Sequence, residues 1–115
     1  MFNSFSGRIL SICPFGPVLT ERSELLEQQG YQVVSCDDLA AAQPLAMTEP
    51  FNLVIVGHGF DAREVREMIC WIRNRRVPVL LVHEGPQPTI NVDAFLPKAY
   101  LPEQLFRMVG WLAWS

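Results

Sequence analysis

The sequence predicts a doubly wound α/β fold, in which helices cover both faces of a parallel sheet. The first observation is length, because 115 residues leave room for a single domain. The second is composition, because half of the residues are hydrophobic and can fill a substantial core. The third is order, because short apolar runs alternate with segments of helical period. Parallel strands require such long crossovers, and these are right-handed.

The first half of the chain contains two strand patterns with a helix between them. Residues 8–13 form an apolar run that ends at Pro14 and is typical of a buried strand. Thr20 precedes a charged turn, so we expect it to cap a helix that Gly30 terminates. Residues 31–36 predict the second strand.

The middle of the chain predicts a short helix and the central strand. Asp37 or Asp38 can cap a helix through residues 40–42, which Pro44 perturbs because proline removes a backbone donor. Residues 52–56 are the most continuous apolar run. We expect them to form a strand that is covered on both faces.

The last part of the chain predicts two further helices and two further strands. Asp61 caps the third helix, and Pro102 opens the last one. The apolar positions that recur in the third helix are Val65, Met68, Ile69 and Ile72. Those of the last helix are Leu101, Leu105, Met108, Val109 and Leu112. Between these helices, residues 77–82 predict the fourth strand and residues 94–96 a short fifth one.

Aromatic residues of the last helix fall away from its apolar face. At helical spacing Phe106 and Trp114 lie opposite that face, and Trp111 lies at its margin. Tryptophan is enriched among the residues that contribute most to protein interfaces. We expect either a contact surface or an apolar cover for the core at this helix.

Charge and composition exclude several function classes. Nine Lys and Arg against twelve Asp and Glu give a net charge of -3, which provides no basic surface for nucleic acid. No run approaches the roughly 18 apolar residues of a membrane span, and the first eight residues lack the features of a secretory signal. Cys13, Cys36 and Cys70 cannot all pair within one chain, and their spacing matches no zinc or CxxC pattern. We expect a cytoplasmic protein without a metal or cofactor.

Taken in order, these segments resemble the receiver domain of two-component response regulators over nearly the whole chain. The matching pieces are residues 8–13, LLEQQGYQVV at 25–34, residues 52–56, VPVLL at 77–81 and FLPK at 95–98. The resemblance implies a flavodoxin-like three-layer sandwich whose five parallel strands have the order 2-1-3-4-5. It also implies a signalling module rather than an enzyme.

The family's phosphorylation chemistry is largely replaced in this sequence. The family uses a phosphoacceptor aspartate, an acidic pair that holds Mg²⁺, a hydroxyl residue and a lysine. Gly57 stands at the phosphoacceptor position, Cys13 and Pro14 stand at the acidic pair, and His83 replaces the hydroxyl residue. Only Lys98 is retained. Mg²⁺ prefers oxygen ligands, so we expect a pseudo-receiver that is not phosphorylated.

The family's fourth helix and its output surface are also altered. The span from His83 to Lys98 leaves room for about one helical turn before the fifth strand, so we expect this helix to be shortened or missing. Phe95 stands at the position of the family's aromatic switch residue. The resemblance implies contact with a protein partner or a second copy through the fifth strand and the last helix. The expected anchors are Phe106, Trp111 and Trp114.

A small-ligand site is the alternative function, in which the chain is a flavodoxin-like binding or catalytic domain. His58, His83 and Lys98 can form an anion site at the carboxyl ends of the strands if an imidazole is protonated. Lys98 can instead pair with Asp61 or Glu84.

Four other sites are conceivable at the same edge. These are a metal site of both histidines with Asp61, a Cys13–Cys36 redox pair, a nucleophilic Cys13 assisted by a histidine, and a relocated Mg²⁺ site at Asp37 and Asp38. We favour structural roles for all of these residues, because free cysteines usually pack as small hydrophobes and aspartates often cap helices.

Overall fold

The sheet has five parallel strands in the predicted order, β2-β1-β3-β4-β5. The computed structural model describes residues 7–114, so the opening segment that we searched for a secretory signal lies almost wholly outside it. The strands are β1 (Arg8–Ile12), β2 (Gln32–Cys36), β3 (Leu53–Val56), β4 (Val79–His83) and β5 (Ala94–Pro97). The predicted flavodoxin-like topology is confirmed.

Helices cover both faces of this sheet. They are α1 (Gly16–Gln28), α2 (Leu39–Thr48), α3 (Ala62–Arg73) and α4 (Pro102–Ala113). α2 and α3 enclose one hydrophobic cluster against the sheet, and α1 and α4 enclose the other. In the described chain β4 connects to β5 without a helix, which confirms that the family's fourth helix is missing.

Side-chain alternation along the strands divides the core between the two faces. Ile9 of β1 packs with α1 and α4, whereas Leu10 and Ile12 pack with α2 and α3. β3 is buried at every position, as expected for a strand with helices on both sides. Ile12 pairs with Val56, so the residues that follow β1 and β3 emerge side by side at one edge of the sheet.

The first helix begins earlier than predicted. Thr20 lies inside α1 and is exposed, and the N-cap is Phe15. Pro17 stands in the first helical turn, where the missing N–H of proline costs no hydrogen bond and its fixed φ suits the helix. The prediction of a cap at Thr20 was wrong. Pro17 belongs to the first turn of the helix and not to a loop before it, so α1 begins at Gly16.

The second and third helices begin at predicted caps. The Asp38 side chain accepts a hydrogen bond from the backbone N–H two residues on at 3.0 Å, and Asp61 does the same at 2.8 Å. α2 nevertheless continues through Pro44 to Thr48, farther than predicted. The Thr48 hydroxyl donates to the Pro44 carbonyl at 2.6 Å, which satisfies a carbonyl in the last turn.

Two further boundaries differ from the predictions. β4 starts at Val79 instead of residue 77, because Pro78 has no N–H to donate and contributes only its carbonyl, which accepts from Val54 at 3.0 Å. Leu101 was predicted on the buried face of the last helix, but it is 57% exposed. Its backbone is extended at the N-cap, so the residue lies outside the helical phase.

Within residues 7–114, no helix combines the length and the apolar character that crossing a membrane would require.

Candidate functional site

The carboxyl ends of the strands bring most of the predicted site residues to one edge of the sheet. Cys13 follows β1, Gly57 follows β3, His83 ends β4, and Lys98 follows β5. The Lys98 backbone N–H donates to the His83 carbonyl at 2.8 Å, which fixes the two strand ends together. Across the described residues, no three His, Cys, Asp or Glu side chains converge as metal ligands would, so both histidines and Asp61 do not form the hypothesised metal site.

A side chain at position 57 would clash with the end of β1 and with Cys13. Its N–H donates to the Ile12 carbonyl at 2.6 Å, which holds its backbone against the end of β1. A Cβ atom at this position would lie 2.8 Å from Cys13 Cβ, 3.0 Å from Cys13 Sγ and 3.0 Å from the Ile12 oxygen. Real Cβ atoms essentially never have contacts under 3.0 Å. The buried Cys13 side chain therefore fills the space in which an aspartate side chain would begin.

Lys98 is engaged by a carboxylate of its own chain. Its Nζ donates to Glu84 Oε2 at 2.7 Å, which decides between the two partners that the sequence allowed. This hydrogen bond, together with the lysine charge, lowers the pKa of Glu84. The ammonium group is thus already paired with an anion.

The two histidines at this edge are held in different environments. His58 stacks on Phe15 with 5.1 Å between ring centres, and its buried Nδ1 has no hydrogen-bond partner in the described chain. Burial lowers the pKa of His58, and the positive charge of Lys98 lowers it further. The His83 Nδ1 lies 3.0 Å from the Gly85 carbonyl, which can only accept, so this nitrogen carries the proton. An anion site that needs a protonated His58 is disfavoured.

A cleft of about 390 Å³ opens beside the histidines, between α3 and the β4–β5 connection. His58 and His83 border it, and Val65, Leu81 and Ile90 contribute apolar surface. The fourth helix is missing from this connection, so the cleft is left open at the strand ends.

The cysteines of neighbouring strands do not face each other. The Cys13 N–H donates to the Cys36 carbonyl at 3.1 Å, so their backbones are adjacent. The Cys13 thiol points to the His58 carbonyl at 4.0 Å, and the Cys36 thiol to the Asp38 carbonyl at 3.7 Å. Both are free and buried, and they fill space between strand and loop backbone. This arrangement does not favour the redox hypothesis.

A buried arginine near this edge was not predicted. Arg22 of α1 is 1% exposed, and its Nε donates to the Tyr100 hydroxyl at 3.0 Å. Its Nη1 is buried without a hydrogen-bond partner in the described chain, and its charge also contributes to the lowered pKa of His58. The signal was present, because Arg22 lies at helical spacing between the buried Leu19 and Leu26. It ties α1 to the segment between β5 and α4.

Comparisons with known proteins agree with this geometry. No protein-family model matches the chain, and no curated protein matches it. Among solved structures, the chemotaxis protein CheY4 of Vibrio cholerae is 17% identical with a TM-score of 0.80, over 91% of this chain and 97% of its own. A CheY-like receiver domain from Methanospirillum hungatei is 19% identical with a TM-score of 0.83, over 92% of each chain.

A third solved structure is the receiver domain of a histidine kinase from Syntrophus aciditrophicus. It is 19% identical with a TM-score of 0.82, over 93% of this chain and 89% of its own. The chain has the receiver fold. Sequence identity at this level supports the shared fold alone.

On this receiver fold, two of the three aromatic residues predicted for the contact surface are exposed, one on α4 and one at its C-cap. Trp111 is 63% exposed and Trp114 is 55% exposed, whereas Phe106 is half-buried. A mainly apolar groove of about 350 Å³ lies between β5 and α4, bordered by Leu96 and Trp111. Phe95 is half-buried and packs edge-on against His83 at 6.1 Å between ring centres.

Proposed function

We propose that this chain is a receiver-like signalling module that accepts no phosphoryl group on aspartate and acts through protein contacts. The observation that carries the proposal is the contact between positions 13 and 57. The side chain of Cys13 occupies the space where an aspartate at position 57 would begin. We further propose that the domain is cytoplasmic and has no catalytic activity of its own.

The chemistry at the strand ends supports this proposal. Phosphoryl transfer to a receiver requires a carboxylate nucleophile, and Mg²⁺ requires oxygen ligands. Cys13 and Pro14 offer a thiol and a pyrrolidine ring, and Gly57 offers no side chain. Glu84, a carboxylate at this edge, is bound to Lys98 at 2.7 Å. The lysine is therefore paired in the absence of any phosphoryl group.

The contact surface that we propose lies on β5 and α4. Trp111 exposes a large apolar side chain beside the groove that Leu96 and Met108 border, and Trp114 exposes another at the end of α4. Tryptophan contributes strongly to binding energy when a partner buries it. The occupant is a partner protein or a second copy of this chain.

Phosphorylation is tested by incubating the protein with acetyl phosphate and Mg²⁺ and measuring its intact mass. We expect no added phosphoryl group, whereas a receiver domain with the full acidic site gains one under the same conditions. An adduct that is stable in acid and removed by hydroxylamine is an acyl phosphate, and its formation would show that the proposal is wrong.

The contact surface is tested by sedimentation over a range of protein concentrations. A second copy is supported as the occupant if the mass of the original protein rises with concentration while the Trp114→Ala variant stays monomeric. Met47→Ala is the matched control, because Met47 is an exposed apolar residue on α2, away from this surface. Its mass should rise as in the original protein. If the original protein is monomeric at every concentration, a second copy is excluded as the occupant of this surface and a partner protein is the candidate that remains.

A second candidate function, favoured by the open cleft beside His58 and His83, is binding of a small molecule. Because burial lowers the pKa of His58 and Lys98 is paired with Glu84, the ligand that suits this cleft is uncharged. Amide shifts at Gly57 and His83 in an NMR titration resolve this site from the rest of the chain. We expect inorganic phosphate to leave both unchanged.

A further inference from the structure

We propose that a second cleft, at the amino ends of the strands, binds a small oxyanion that carries a phosphate or carboxylate group. This cleft has a volume of about 560 Å³ and lies at the edge of the sheet opposite the strand ends discussed above. Arg73 and Arg76, at the end of α3, line it together with Asn52, Asp93 and the buried Phe51.

The arginines of this cleft retain most of their hydrogen-bond donors. Arg73 Nη1 lies 3.4 Å from the Asn91 carbonyl and 3.9 Å from the nearest Asp93 oxygen, which are both long contacts. The Arg76 side chain has no hydrogen bond or ion pair within residues 7–114. Each guanidinium has five N–H donors in a planar fork that matches the oxygens of carboxylate or phosphate.

The polar neighbours of these arginines are fixed by the sheet. The Asn52 Oδ1 accepts from the Arg8 N–H at 2.7 Å, so the amide group of Asn52 keeps its two N–H donors available. Asp93 Oδ2 accepts from the Val79 N–H at 2.8 Å, which anchors that carboxylate to β4. One carboxylate and two guanidinium groups therefore line the cleft. The cleft keeps a positive surplus in a chain whose net charge is -3.

The backbone of Arg76 takes a left-handed conformation just after α3. Its φ is 60°, in the left-handed region where glycine is favoured and a side chain is strained. Its N–H donates to the Arg73 carbonyl at 3.0 Å, which closes the end of α3. Glycine would make the same turn with less strain.

The ligand is a small anion instead of a nucleic acid, because the negative chain as a whole repels a polyanion. Phe51 and the end of α4 give the cleft an apolar side, which suits an anion that also carries an apolar body. Phosphate and carboxylate share the chemistry that the two guanidinium groups recognise. The experiment therefore includes both.

The test is an NMR titration of backbone amides with inorganic phosphate and, separately, with acetate, both at constant ionic strength. We expect saturable shifts at Asn52 and at the end of α3 with at least one of these anions. Arg76→Gly should weaken that binding about tenfold, as for loss of a charge-assisted hydrogen bond. The same change should raise the melting temperature because it relieves the left-handed strain, so weaker binding cannot result from unfolding.

Arg75→Gln is the matched control, because Arg75 lies next to Arg76 but does not line the cleft. It removes the same charge and should leave the affinity unchanged. Equal weakening by Arg75→Gln and Arg76→Gly would mean general attraction by surface charge and would overturn the proposal, as would shifts that do not saturate with either anion. This result is independent of the proposed function, because the cleft and the phosphorylation positions lie at opposite edges of the sheet.

Discussion

The contact between Gly57 and Cys13 makes Gly57→Ala a demanding test of the packing at the strand ends. The added methyl group would lie 2.8 Å from Cys13 Cβ and 3.0 Å from the Ile12 carbonyl oxygen. The carbonyl belongs to the backbone of β1, so it cannot move without disturbing the sheet. Overpacking of this kind lowers the free energy of unfolding by about 1–3 kcal/mol. In a domain of this size that corresponds to a melting temperature lower by about 4–12 °C.

Urea unfolding followed by tryptophan fluorescence measures this change. Gly16→Ala is the control, because a Cβ at Gly16 has open space around it and alanine suits the first turn of α1. We expect that control to be neutral or to add about 0.5–1 kcal/mol. Cys13→Gly in the Gly57→Ala background removes both atoms of the clash on that side and should recover part of the loss. A Gly57→Ala protein within about 0.5 kcal/mol of the original would refute the reasoning.

The remaining predictions concern charged groups near the same edge. Tyr100→Phe should lower the free energy of unfolding by about 1–3 kcal/mol, because it leaves the buried Arg22 Nε without an acceptor. The double variant Arg22→Met with Tyr100→Phe removes both partners, so its free energy of unfolding should stay within about 1 kcal/mol of the original. Urea unfolding measures both values. A double variant that loses more than the single one would contradict this. Lys98→Met should raise the pKa of His58 and that of Glu84, measured by NMR titration, because both are lowered by the lysine charge; unchanged values would exclude that cause. The pKa of His58 in the folded protein lies below 6.5, so the unfolded chain binds a proton at a higher pH than the folded protein does. The free energy of unfolding should therefore fall as pH decreases from about 6.5 toward the pKa of His58 in the folded protein. His58→Phe should remove that slope, and a slope that persists would assign it to another group.

Local chemistry explains why much of the fold was predictable. The continuous apolar run at residues 52–56 is typical of a strand between two helical layers, and the whole of β3 is buried. Asp38 and Asp61 were predicted as caps because an aspartate next to the first helical N–H groups satisfies them without tertiary contacts. The start of α1 was not predicted, because Pro17 suits both a tight turn and a first helical turn. Leu19 is buried in the helix that begins before Pro17.

The candidate site was predicted as a set of positions but not as a set of contacts. Strand order alone brings Gly57 and Cys13 to one edge of the sheet. Their contact depends on the register in which β1 pairs with β3, which the sequence does not specify. The sequence left two carboxylates open as partners of Lys98, and the path of the β4–β5 connection placed Glu84 against it. Arg22 was missed because it stands among charged residues and its partner is 78 positions away.

A Mg²⁺ titration followed by amide NMR tests most directly the proposal that the strand ends hold no Mg²⁺ site. The amides of Cys13, Gly57 and Lys98 lie at the strand ends, where the resemblance to receiver domains implies the metal site. We predict that they do not shift as Mg²⁺ is added, because a thiol and a glycine hydrogen cannot replace oxygen ligands. Saturable shifts confined to these three amides would show that the ion binds there and would contradict the account.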